Sequence, residues 1–385
     1  MSKSTLKVLH LPTTVGGNPQ GLSKQLGKAG VFSKTWAFQG NYFNYDCDHV
    51  IWNQDDTFIS REFKRLRAIL NAAAHFDVIH FNFGQTLAQR SAKPNATSVL
   101  KKLKHTLSDC YLDILQIVEL NLYKAYGRPL FVHYQGDDAR QGDVSLKLFK
   151  YSAAQRVPEG HYSAETDALK RKMIQRLNKY CAQIYAVNPD LLHILPKRSR
   201  FIPYCHISLD EWQPFYTQRD NSRPLRIGHA PTNRAAKGTD LILAALDALA
   251  AEGYQYELVL VEGVSNAEAR KKYESVDVLI DQLFYGWYGG LAVEAMALGK
   301  PVVVYIREED LGFIPEQMKA DLPFIQATPD TVKETLRHVL EMPREELYRL
   351  AQCSRAYVER WHDPVKIAKE IQADYEKALH HKGRF

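Results

Sequence analysis

Asp281-Gln-Leu-Phe-Tyr-Gly-Trp-Tyr-Gly-Gly-Leu-Ala-Val-Glu-Ala-Met-Ala-Leu-Gly-Lys-Pro-Val-Val-Val304 is the stretch whose reading decides the fold. Glycines crowd residues 286–290, and an apolar run of helical character, Leu291–Leu298, follows them. The first amides of a helix lack intrahelical acceptors and its dipole adds positive potential there, so this turn suits an anion such as a pyrophosphate. Gly289, Gly290 and Leu291 lie at that helix start. Glu294 stands about one turn in, on a side chain leaning back toward the helix start, where its carboxylate can accept from sugar hydroxyls. Gly299-Lys-Pro ends the helix, and Val302–Tyr305 reads as a buried parallel strand.

A second segment has a compatible chemistry. Arg226-Ile-Gly-His-Ala-Pro-Thr-Asn-Arg-Ala-Ala-Lys-Gly-Thr-Asp240 reads as strand, polar loop and helix start, leading into the amphipathic run Leu241–Leu249. Its loop offers two cations, Arg234 and Lys237. Fixed cations in such a loop suit an anionic ligand.

The order of Gly-rich turn, glutamate-bearing helix, Gly-x-Pro stop and strand resembles the nucleotide-sugar signature of GT-B glycosyltransferases, especially the retaining family 4-like group. In that group two glutamates lie eight positions apart. Glu294 matches the second, and the first falls on Gly286, so one donor-sugar contact is missing or replaced. The resemblance implies an α/β chain of two Rossmann-like, doubly wound domains facing a cleft. It implies that Lys237, and with it Arg234, grips the donor diphosphate, and that Asp281, Tyr288, Gly289, Gly290, Leu291 and Glu294 form the donor side. His133, in Phe131-Val-His-Tyr-Gln-Gly-Asp-Asp-Ala-Arg140, resembles the histidine such enzymes hold near the donor sugar. Gly16 and Gly17, after the first strand, match the loop that approaches donor or acceptor, while His80, Asp137 and Asp138 are expected to line the cleft. No metal and no cofactor beyond the nucleotide-sugar co-substrate is implied.

The rest of the chain is consistent with this architecture. Its 385 residues are 45% hydrophobic and 24% charged, enough for two cores. Alternating elements run from a strand at Leu6–Leu11 through Val31–Phe38, Asp77–Phe83, Pro129–Tyr134 and Gln183–Val187, with helices at Gly21–Gly30, Phe58–Ala74, Ala164–Ala182 and, roughly, 100–126. Residues 1–205 are read as an acceptor-side domain and 206–224 as a linker. Residues 225–363 then form the donor domain, and a final helix, 364–380, crosses back. The restart after the linker places strands at Glu257–Val261, Val276–Ile280, Pro301–Tyr305 and Phe324–Ile325.

Five scattered cysteines without CxxC spacing indicate neither a disulfide framework nor a zinc site, and point to a reducing, cytoplasmic setting. No apolar run reaches the length of a membrane span, and the sequon Asn95-Ala-Thr97 reads as incidental. Asp46-Cys-Asp48 matches a metal-binding Asp-x-Asp by letter only, without donor-site context. Charge is divided unevenly: residues 1–200 carry 28 Lys and Arg against 16 Asp and Glu, the remainder 22 against 28. Basic clusters at 61–67, 101–104 and 170–176 can attract anionic lipid headgroups at the inner face of a membrane. No nucleic-acid motif surrounds the aromatic residues. The expected partners are a nucleotide-sugar donor and a glycan or lipid-linked acceptor. An epimerase or phosphorylase on the same fold, or a non-catalytic partner subunit, are the alternatives.

Overall fold

The structure is a computed structural model that describes residues 5–39, 46–88, 98–216 and 223–380. Two parallel sheets organise the chain. The first takes strands β1 (Lys7–Leu11), β2 (Phe32–Ala37), β3 (His49–Val50), β4 (Val78–Asn82), β5 (Leu130–Tyr134), β6 (Cys181–Ala186) and β7 (Arg200–Phe201) in the order β3-β2-β1-β4-β5-β6-β7. The second takes β8 (Leu225–His229), β9 (Tyr256–Leu260), β10 (Val278–Ile280), β11 (Val302–Val304) and β12 (Ile325–Gln326) in the order β12-β11-β10-β8-β9. Strand order reverses beside β1 in the first sheet and beside β8 in the second, and at such switch points the loops leaving the carboxyl ends part and leave a crevice.

Helices cover both faces of each sheet, which is why strands such as β4 and β5 are buried along their whole length. On one face of the first sheet, Ala68, Ile69, Leu120, Tyr123, Ile174 and Leu177 pack on Leu9, Ile79, Phe81 and Val132. On the other, Leu22 and Leu26 lie with Ile367, Ile371, Tyr375 and Leu379 of the helix Pro364–His380 over Val8, Val78 and Phe131. The last helix therefore closes the core of the first sheet although it follows the second in sequence. In the second sheet, Ala292, Val293 and Met296 cover one face, and Ile242, Leu246, Leu336 and Val339 the other.

The link between the sheets has no regular element from 202 to 216, but it is not loose. Cys205 lies so close to helix Asn18–Lys28 that a Cβ on Gly21 would overlap its carbonyl. Trp212 is buried, and Arg355 Nη1 donates to its carbonyl and, at 2.7 Å, to that of Ala297. Residues 217–222 and the sequon at 95–97 lie outside the described residues. Among the described residues no helix is long and apolar enough to cross a membrane.

Candidate active site

The Gly-rich module folds as a turn on β10 leading into a helix, Gly290–Ala297. Asp281, directly after β10, has no solvent exposure and anchors the turn: Oδ2 accepts from the Gly289 amide at 2.7 Å, Oδ1 from Lys237 Nζ at 2.7 Å. Lys237 arrives from the other strand at the switch point. After β8 the chain enters a short turn of helix, Arg234–Lys237, capped by the Asn233 side chain on the Ala236 amide. His229 fixes the base of that loop, with Nδ1 on the Ile280 carbonyl and Nε2 on Thr239 Oγ1, both at 2.9 Å. Burial lowers its pKa to about 4, so it stays neutral.

A cavity of about 680 Å³ opens above these groups. Lys237, Gly290, Leu291 and Glu294 line it from the second domain, Val15 and Gly16 from the first, and His206 from the link between them. Further along, Glu262, Val264, Asn266 and Tyr273 continue its wall. Glu294 is buried and accepts from Asn266 Nδ2 at 3.1 Å, while His206 Nε2 lies 3.6 Å from the same carboxylate oxygen. Neither ring nitrogen of His206 has a hydrogen-bond partner among the described residues. A cation, a helix N-terminus and a carboxylate thus share one concave site of the size small-molecule ligands use.

Several residues named from sequence fall elsewhere. Tyr288 is fully buried, its hydroxyl 2.9 Å from both Tyr357 Oη and His362 Nε2, and does not line the cavity. Arg234 does not line it either; its guanidinium pairs with Glu262 at the rim. His133 is the larger correction. Alternate strand residues face opposite sides, so Phe131 and His133 point together into the core beneath the final helix, away from the cleft. There His133 Nδ1 lies 3.0 Å from His80 Nε2, the two rings are stacked, and His80 Nδ1 bonds the Tyr375 hydroxyl. His80, expected to line the cleft, is buried in the same row with His10. Burial holds His10 and His133 down to about 3 and His80 well below the ordinary range, so all three are neutral core residues.

Gly16 does reach the cavity, in a left-handed turn with φ +64°, and Gly17 is buried behind it with φ +67°. Asp137 and Asp138 serve the loop after β5. Asp138 accepts from the Gln135 and Gly136 amides, and burial raises its carboxyl to about 7 against the pull of those amides. Burial alone would raise Asp137 too, but His161, Arg140 and Tyr162 hold it well below the usual carboxylate range. The basic cluster at 170–176 is likewise spent within the fold: Arg171 pairs with Asp143, Lys172 and Arg176 with Asp113, and Lys170 donates to the Arg140 carbonyl. Asp48 of the Asp-x-Asp accepts from Lys34 and Thr35. Among the described residues no group of three His, Cys, Asp or Glu side chains is placed to hold a metal ion.

Gly286, where a glutamate is expected, has φ +75°, and a Cβ there would overlap the Arg307 guanidinium. Arg307 is buried, pairs with Asp310 at 2.8 Å, donates to the Tyr151 carbonyl at 3.0 Å and lies 3.6 Å over the Phe149 ring. Sequence reasoning missed His206 and Asn266, because neither belongs to a spaced motif and both reach the cavity only through tertiary folding.

No family model matches the chain, and no curated protein does. Solved structures do match it. Sucrose-phosphate synthase from Thermosynechococcus elongatus superimposes with a TM-score of 0.59 over 98% of this chain and 100% of that one, at 13% identity. The catalytic domain of starch synthase IV from Arabidopsis thaliana gives 0.58 over 98% and 100%, at 12% identity. The Anabaena protein HepE gives 0.58 over 96% and 99%, also at 12%. The chain has the GT-B fold. In a GT-B frame the cavity lies at the switch points of both sheets, between the domains.

Proposed function

We propose that the protein is a glycosyltransferase that moves a sugar from a nucleotide-sugar donor to a glycan or lipid-linked acceptor. We place it in the cytoplasm, in polysaccharide or glycoconjugate assembly, with retention of anomeric configuration and without a metal. The observation that carries this reading is the convergence of Lys237, the Gly290 helix start and Glu294 on one cavity closed by Gly16. Support for the donor class comes from the neighbours: the Anabaena structure was determined with UDP-glucose, and the starch synthase with ADP and acarbose.

In this reading Glu294 accepts from ribose hydroxyls, and the helix amides with Lys237 hold the diphosphate. As the bond from the sugar carbon to the diphosphate oxygen breaks, its electron pair stays on that oxygen. Lys237 stabilises that charge as a fixed positive group. The acceptor hydroxyl oxygen bonds to the same carbon, and its proton leaves to the departing diphosphate.

One observation favours a second reading. With Arg307 packed over Gly286, the usual first glutamate is not merely absent but replaced by an interdomain contact. A chain that binds a nucleotide-sugar without turning it over would tolerate that. Chromatography of nucleotide products separates the cases. Free nucleoside diphosphate that appears only with acceptor, unaffected by EDTA, supports metal-free transfer. Binding without product supports the partner subunit, and an isomerised nucleotide-sugar supports an epimerase.

A further inference from the structure

The helices Phe58–His75 and Val99–Ala125 cover the first sheet with one face each, yet both carry a second apolar face turned to solvent. On the first, Ile59, Phe63, Leu66 and Leu70 recur every three or four residues, and Phe63 is 68% exposed. On the second, Leu100, Leu103, Leu107, Tyr111, Ile114 and Val118 keep the same rhythm for about 27 Å at 1.5 Å per residue. Leu107 is 63% and Ile114 58% exposed. The stripes adjoin, since the Tyr111 hydroxyl donates to Glu62 Oε2 at 2.8 Å. A run of large apolar side chains on this scale marks an interaction surface rather than scattered exposure.

The charges around it select the occupant. Arg67, Lys102 and Lys104 are exposed and make no ion pair among the described residues. Of the acids nearby, Glu62 is engaged by Arg65 and Tyr111, Asp113 by Lys172 and Arg176, and Glu119, buried, by the Leu87 and Ala88 amides, while Asp55 before the first helix is exposed. A surface of anionic lipid is complementary to both the cations and the apolar stripe. We propose that this two-helix face docks the protein on an anionic membrane, with Phe63, Leu66, Leu103, Leu107 and Ile114 entering the headgroup boundary.

The proposal stands apart from the glycosyl-transfer reading, because lipid binding is measured without turnover. Flotation with vesicles of equal parts phosphatidylglycerol and phosphatidylcholine at low ionic strength should carry the wild type upward, with affinity at least tenfold higher than for phosphatidylcholine alone. The variant Leu103→Glu/Leu107→Glu should bind at least tenfold more weakly. So should Lys102→Glu/Lys104→Glu, which leaves the apolar stripe intact; an unchanged melting temperature in either confirms folding. A wild type that ignores the anionic vesicles overturns the proposal. So does a dimer in light scattering that Leu103→Glu/Leu107→Glu splits into monomers without loss of lipid binding, which assigns the face to a second copy.

Discussion

Replacing Lys237 tests whether its charge holds the proposed donor or only the fold. Its ammonium is buried and lies 2.7 Å from the Asp281 carboxylate, which has no solvent exposure. Removing it strands that carboxylate on the Gly289 amide alone. An uncompensated buried charge costs about 3–5 kcal/mol, so Lys237→Ala is expected to lower Tm, and its loss of turnover has two sources. Lys237→Ala/Asp281→Asn removes the stranded charge and keeps an acceptor for the Gly289 amide. In this double variant Tm should regain most of the loss, while turnover stays down by about a hundredfold, about 2.7 kcal/mol, the scale of one preorganised electrostatic stabiliser. Calorimetry and acceptor-dependent release of nucleoside diphosphate give the two readouts. Turnover within twofold of wild type in the double variant refutes the phosphate role and leaves Lys237 as the structural partner of Asp281.

Glu294→Ala should weaken nucleoside diphosphate binding by about 1.5–3 kcal/mol with the fold intact, since a charged hydrogen bond is worth that much; titration calorimetry showing equal affinity removes Glu294 from the ribose. His133→Ala should lower Tm by stranding His80 Nε2 in the core and leave nucleoside diphosphate affinity unchanged; the opposite pattern returns His133 to the site. Gly286→Glu should fail to restore a donor contact and lower Tm, because φ +75° and Arg307 both oppose a side chain there; tighter donor binding with unchanged Tm contradicts this. Acid should destabilise the fold. Burial depresses the folded-state pKa of His10, His133 and His362 to about 3, of His229 to about 4 and of His80 below the ordinary range. The unfolded chain therefore binds more protons below about pH 6.5, and stability present above that pH is lost as pH falls. Glu119 and Asp138, both raised to about 7, and Asp310, also raised by burial, act oppositely above about pH 4. Five histidines outweigh three carboxyls, so Tm should drop from pH 6.5 to 4.5; a flat Tm contradicts the buried, neutral histidines.

The architecture was legible where period and punctuation coincide. The pattern predicts strands at Leu6–Leu11 and Pro129–Tyr134, observed at Lys7–Leu11 and Leu130–Tyr134, and a helix at Leu291–Leu298, observed at Gly290–Ala297. Edge strands such as His49–Val50 and Arg200–Phe201 are two residues long, too short to carry an alternation. The site divides along the same line. Lys237 and Glu294 sit in contiguous motifs whose backbone dictates where they point. A histidine near the end of a strand does not, because one residue of register decides between cleft and core, and His133 falls on the core side with Phe131. Asn188, just before Pro189, makes no side-chain cap; its side-chain amide joins the Gln135 carbonyl to the Tyr204 hydroxyl, a tertiary role no local spacing shows.

The departure at Gly286 connects the proposed donor site to the way the two sheets are held together. Arg307 reaches from the second domain to Phe149 and the Tyr151 carbonyl of the first, and its partner Asp310 also accepts from His193 at 2.9 Å. Beside it, Arg140 of the first domain pairs with Asp190 and lies 4.6 Å from the Tyr285 ring of the second. The residue before Gly286 and the cation above it are therefore both interdomain contacts. A glutamate at 286 would compete with Asp310 for the same guanidinium, so gaining a sugar contact would loosen the domain interface. Glycine resolves that conflict in favour of the interface, leaving Lys237, the helix start and Glu294 as the groups proposed to hold the donor.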